Sequence, residues 1–60
     1  MWNMVCIKDW GKSWRVGEGF AAHRCEEVVR RDGSRWWKGV DIDGKSFCLR
    51  QSHFKRVPFE

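Results

Sequence analysis

Two Asp-Gly pairs, Asp32-Gly33 and Asp43-Gly44, divide the second half of this chain. Asp-Gly is a strong short-range hairpin signal, because the favoured two-residue turn holds both central residues at positive φ, which Gly adopts at no steric cost and Asp tolerates. Between the pairs, Arg35 to Ile42 has strand length, and Lys45 to Arg50 is its return partner. With Val28–Val29 ahead of the first turn, Trp36–Val40 between the turns and Phe47–Leu49 after the second, a three-stranded meander is expected. Glycines at 11, 17, 19, 33, 39 and 44 interrupt the chain too often for an amphipathic helix of three turns. The chain reads as all-β.

The remainder fits that class. Asn3 to Lys8 alternates, with Val5 and Ile7 on one face and Met4 and Cys6 on the other. Asp9 to Gly19, "DWGKSWRVGEG", is too irregular for a strand and reads as a loop anchored by Trp10 and Trp14. Phe20 to Arg30 is extended, with a bulge expected near Cys25 where strict alternation breaks. Gln51 to Phe54 reads as one tight helical turn, and Lys55 to Val57 as a short last strand. Five short strands in 60 residues imply a small, strongly bent five-stranded barrel, since a flat sheet of this size has little to pack against. The register poses one conflict. If Trp37 points inward, Gly39 and Asp41 share its face while the apolar Val40 and Ile42 do not; a bulge at Gly39 would resolve this, leaving Trp37 in the core and Trp36 exposed.

Sixty residues make one domain, spanning 1–60. A chain this short buries only about 60% of its unfolded surface, so its large side chains must be well used. Five Trp and four Phe supply that burial. Three cysteines, Cys6, Cys25 and Cys48, form no C-x-x-C pair and leave an odd thiol, which argues against a disulfide framework and for a cytoplasmic chain with reduced, mostly buried thiols. No apolar run is long enough for a signal-peptide core or a membrane span of about 20 residues, so no membrane role is expected. The net charge of +4 and pI near 9.4 suit an acidic partner.

The stretch "DGSRWWKGVDIDGKSFCLRQSHFKRV" resembles the second half of a Src-homology-3 domain, in which a turn, a Trp pair, Lys-Gly, a second Asp-Gly turn and a closing aromatic step follow in that order. Upstream, "VGEGF" is similar to the family's approach to its second strand, and "DWGKSW" falls in its long loop. The whole also resembles very small barrel proteins encoded by bacteriophages and prophages, with a Val-Cys-Ile strand at the start and Phe-x-x-Val at the end. The resemblance implies a ligand groove lined by Trp36 and Phe54. The chain departs from the pattern in having Gln51 where the family has Pro, no Tyr, and a basic long loop. Those departures point away from proline-rich ligands.

Function candidates follow from the aromatics and the cations. Trp and Arg dominate binding hot spots, so the expected site comprises Trp10, Trp14, Trp36 and Phe54 with Lys12, Arg15 and Arg35 around them. The first reading is a non-catalytic module of phage or prophage type that engages a protein partner, monomeric or weakly self-associating. The alternatives are a nucleic-acid-binding barrel using the same face and the wider set of cations, including Arg30, Lys38, Arg50 and Arg56, or a structural subunit that oligomerises. No cofactor or metal is expected: His23, Cys25, Cys48, His53 and Cys6 are zinc-ligand types at spacings unlike a ribbon or knuckle. Cys48 or Ser52 beside His53 suggests no enzyme, because catalysis needs a concave pocket of roughly 300 Å³ or more, larger than so small a barrel is expected to hold.

Overall fold

The computed structural model describes residues 1–58. Five antiparallel strands form one sheet: β1 (Trp2–Cys6), β2 (Gly19–Val29), β3 (Arg35–Asp41), β4 (Ser46–Arg50) and β5 (Phe54–Pro58), in the order β4-β3-β2-β1-β5. Among the described residues no helix is long and apolar enough to cross a membrane.

Alternation in β1 sends Met4 and Cys6 into the core, while Val5 is half-buried and Ile7 lies exposed on the other side. The long β2 serves two neighbours: Gly19 to Ala22 pair with β1, and Arg24 to Val29 pair with β3. Its register shifts between Ala22 and Arg24, so His23 is the extra residue of a bulge, two positions before Cys25. A bulge bends its strand and increases twist, and here it folds the sheet across the core. The strand opposite is undisturbed. β3 keeps regular register with β4 throughout, and Gly39 pairs with Cys25 on one side and Phe47 on the other, so the bulge expected at Gly39 lies instead across the ladder on β2. Gly39 has a different duty: a Cβ there would land on the Arg24 carbonyl oxygen, where the bent β2 presses closest. Trp37, Gly39 and Asp41 therefore do share the inner side. Val40 is half-buried on the outer side and Ile42 is 59% exposed in the turn.

Both Asp-Gly hairpins form, with a different turn from the expected two-residue one. In the first, the Gly33 N–H donates to the Arg30 carbonyl (2.9 Å) and the Arg30 N–H to the Ser34 carbonyl (2.9 Å); in the second, Gly44 donates to Asp41 (3.1 Å) and Asp41 to Lys45 (2.9 Å). Each is a three-residue loop in which only the Gly has positive φ, +85° in both cases. This is a type I turn followed by a left-handed Gly bulge. Neither Asp is left-handed: Asp32 Oδ1 accepts from the Ser34 N–H (2.9 Å) and Ser34 Oγ (2.6 Å), while in the second hairpin it is Asp41, ahead of the Asp-Gly pair, whose Oδ1 accepts from the Asp43 and Lys45 N–H groups (both 2.9 Å).

The sheet is not closed into a barrel. β4 and β5 are its two edges, joined only by the turn at residues 51–53. The seam between β3–β4 and β5 is bridged by a side chain instead of a backbone ladder: Trp37 Nε1 donates to the Phe54 carbonyl at 3.0 Å. The expected helical turn over Gln51 to Phe54 is also absent. A single bond, His53 N–H to the Arg50 carbonyl (3.1 Å), closes a simple turn, and Phe54 already opens β5. The His53 carbonyl accepts from the Ile7 N–H at 2.7 Å, which draws the backbone into strand pairing with β1 before a second helical bond can form.

The core comprises Met4, Cys6, Ala22, Cys25, Trp37, Leu49 and Phe54, with Trp2, Trp10, Trp14, Phe20 and Phe47 packed around it. Cys6 and Cys25 are buried free thiols and Cys48 is an exposed one.

Candidate functional site

The loop between β1 and β2 is tied down by its own acids. Asp9 Oδ1 accepts from the Val16 N–H (2.9 Å) and Glu18 Oε1 from the Arg15 N–H (2.7 Å), while the Gly17 N–H donates back to the Cys6 carbonyl (2.9 Å). Within it, the Trp10 N–H donates to the Trp14 carbonyl at 2.9 Å, pinching Gly11, Lys12 and Ser13 into a small turn. Both indoles consequently fold toward the open side of the core. Trp10 lies 5.0 Å from the His53 ring and 6.2 Å from Phe54; Trp14 lies 5.5 Å from Phe20 and meets Phe54 edge-on at 5.2 Å. Phe20 in turn meets Phe47 edge-on at 5.1 Å. Such tilted and edge-on pairs are favoured by the ring quadrupoles. Phe54 is the hub, and at 1% exposure it cannot touch a partner. Trp10 and Trp14 are half-buried above it, with Lys12 and Arg15 exposed alongside.

Trp36 is elsewhere. It stands on the face of β3 opposite Trp37, paired with Val28 on β2 and Arg50 on β4. The guanidinium carbons of Arg30 and Arg50 lie 4.0 and 4.7 Å from its ring centroid. Its Nε1 donates to Ser34 Oγ (2.8 Å), the same hydroxyl that donates to Asp32, so the first hairpin fixes the ring. These bonds from Ser34 hold the Asp32 carboxyl below the usual carboxylate range. Arg35, expected beside Trp36, projects from the other face of the strand by alternation; Arg30 and Arg50 take that place. Arg50 was findable from register alone, because once the hairpin is set it is the residue paired with Trp36 on β4, whereas Arg30 reaches the ring from beyond the end of β2.

Arg56 is the second surprise. It lies on the inner side of β5 opposite Met4, with its guanidinium 4.0 Å from the Trp2 ring centroid and 4.8 Å from that of Trp37, and Nη1 donating to the Cys25 carbonyl at 2.7 Å. It caps one end of the core as a half-buried structural cation. Burial pushes the adjacent Cys25 thiol above its ordinary pKa, against the opposing pull of Arg56.

Two open grooves result. One, about 340 Å³, runs between Trp14, Phe20, Phe47 and Leu49, with Asp41 and Cys48 on its border. The other, about 380 Å³, is a trough on the outer face lined by Arg24, Glu26, Val28, Lys38, Gly39, Val40 and Ser46. Both exceed the volume expected of so small a chain, because an open, curled sheet leaves concavities that a closed barrel fills. The Ser52 Oγ and His53 Nδ1 pair, 2.8 Å apart, lines neither groove. Among the described residues no three His, Cys, Asp or Glu side chains converge; His23 is exposed at the bulge while Cys25 is buried.

The expected site thus divides: Trp10 and Trp14 pack over Phe54, with Lys12 and Arg15 exposed in the same loop, and Trp36 belongs to the opposite face of the sheet. Compared with known protein families, curated proteins and solved structures, the chain matches none. What the fold defines is a small all-β protein built on one five-stranded antiparallel sheet.

Proposed function

We propose that this chain is a non-catalytic binding module that takes an extended segment of a protein partner along the Trp14 groove. The observation that carries the reading is a half-exposed Trp14 seated on buried Phe54, at the border of an apolar groove that runs beside the free edge of β4. Along β4, ladder bonds at Asp41–Lys45 and Arg35–Gln51 bracket the pairing, so Phe47 and Leu49 bond to β3 while Ser46 and Cys48 turn their backbone polar groups outward. Such an edge accepts an added strand, and its side-chain pockets supply selectivity. Lys12 and Arg15, exposed beside the groove, favour a segment with acidic residues. The three free thiols suit a cytoplasmic setting.

The test is selection from an unbiased library of extended peptides on the immobilised protein, followed by NMR mapping of a selected peptide. The expected result is enrichment of apolar and acidic peptides that shift the Trp14 indole and the amides of Ser46 and Cys48, and that Trp14→Ala no longer retains. Enrichment that survives Trp14→Ala, or none at all, overturns the proposal. Phe54→Ala is uninformative here because it removes the core beneath the site.

A further inference from the structure

The outer face of β2–β3–β4 has a composition of its own. By alternation and register it presents Arg24, Glu26 and Val28 from β2, Trp36, Lys38 and Val40 from β3, and Ser46, Cys48 and Arg50 from β4, with Arg30 reaching over from the end of β2. Of its charged groups, Arg24, Arg30, Lys38 and Arg50 are cations and Glu26 alone is an anion, and all of them are exposed. The acids that might have neutralised this face are used elsewhere: Asp32 accepts from Ser34, and Asp41 Oδ1 accepts from the N–H groups of Asp43 and Lys45, both at 2.9 Å.

We propose that this face binds single-stranded nucleic acid, with Trp36 and the guanidiniums of Arg30 and Arg50 as a stacking platform and Arg24 and Lys38 as phosphate contacts in the adjoining trough. Arg30 and Arg50 are already laid against the indole, at 4.0 and 4.7 Å from its centroid, and Nη2 of Arg30 also reaches Cys48 Sγ at 3.8 Å. Both guanidiniums are therefore gathered at the ring before a ligand arrives. An unpaired base stacks on such a plane, and a base already stacked inside a duplex cannot. Beyond the platform, Val28 and Val40 floor the trough, and Arg24 and Lys38 stand on its walls together with Glu26. Alternating flat apolar and cationic positions match the base-phosphate repeat of a single strand. A purely acidic peptide has charge for the cations but nothing for the indole and valine floor. This inference is independent of the Trp14 groove, which lies on the other side of the sheet.

The experiment is fluorescence anisotropy with the full chain and labelled single-stranded DNA of about 12 nucleotides and mixed sequence. The RNA counterpart, the duplex and polyglutamate serve as parallel probes. The proposal expects both single strands to bind more tightly than the duplex or polyglutamate, with a log–log salt slope of about −1.4 from the two phosphate contacts of Arg24 and Lys38 at about −0.7 each. Arg30→Ala with Arg50→Ala weakens binding at least tenfold through lost stacking and leaves that slope at about −1.4. Lys38→Gln, which leaves the Trp36 stack intact, weakens it several-fold, so the claim stays testable even if the double variant folds poorly. Trp14→Ala leaves binding unchanged. Absence of binding at low salt, polyglutamate binding as tightly as the single strands, or retention of full affinity by Lys38→Gln and by the folded double variant would overturn the proposal.

Discussion

Trp36 and Trp37 are chemically identical neighbours placed in two different regions. Trp37 is 8% exposed, donates its indole N–H to the Phe54 carbonyl across the sheet's seam, and holds Arg56 against its ring from within. Trp36 is half-buried on the outer face, donates to Ser34 in its own hairpin, and carries Arg30 and Arg50 on its ring. The difference is one step of strand alternation, and it separates a residue that holds the fold from one that shapes a surface. Burial of a large side chain contributes several kcal/mol, whereas an exposed cation–π contact contributes about 0.5–1 kcal/mol. The inner region should therefore dominate stability and the outer region recognition.

The largest effect that sharpens this contrast is Trp37→Ala against Trp36→Ala in urea unfolding. Trp37→Ala should cost about 3–5 kcal/mol, which is most or all of the stability of a domain this small. Trp36→Ala should cost about 1 kcal/mol. Equal losses would break the comparison. Glycines of the same meander supply the next pair. Gly39→Ala drives a Cβ into the Arg24 carbonyl and should cost about 2–4 kcal/mol. Gly33→Ala meets open space and only the left-handed backbone cost of about 1–2 kcal/mol. If thermal melts ranked them in the reverse order, the bend of β2 onto β3 would be wrong.

Thiol labelling compares the two regions without perturbing either. Exposed Cys48 should react in the native state, and Cys6 and Cys25 only on unfolding. Because the Cys25 pKa is raised, the unfolded thiol ionises first as pH rises, and stability should decline above the ordinary thiol range. Two or three fast thiols in a mass-spectrometric time course would contradict the core assignment. The smallest effect is acid dependence at the first hairpin. The Asp32 pKa is lowered, so its contribution is present at neutral pH and is lost as the pH falls through that lowered value. The melting-temperature gap between the protein and Asp32→Ala should accordingly narrow in acid; a gap that is constant or widens would remove Asp32 from the hairpin's support.

Which features were legible in the sequence follows their range. The meander, the alternation of β1 and the inward Trp37 are written in local signals, Asp-Gly pairs and period-two patterns, and the structure has them. The turn type was not legible, because Asp-Gly serves a two-residue turn and a Gly-bulged three-residue loop equally well. Closure was not legible either: whether two edge strands pair depends on what fills the seam, and here the Trp37 indole does. Of the candidate site, the nearness of Trp10, Trp14, Lys12 and Arg15 follows from their shared short loop, which is legible in the sequence. Phe54 was misplaced since its burial depends on two indoles from a distant loop, and Arg56 since a cation on an inward position looks the same in sequence as one facing solvent.

Hydrogen exchange at the indole N–H groups, followed by NMR on the unmodified protein, asks the central question most directly. The Trp37 signal should exchange only through global unfolding, with the protection of the slowest backbone amides, while the Trp36 signal exchanges through local opening at the Ser34 hydroxyl. If Trp36 is protected as strongly as Trp37, or Trp37 exchanges as readily as Trp36, the two-faced account of this sheet is wrong.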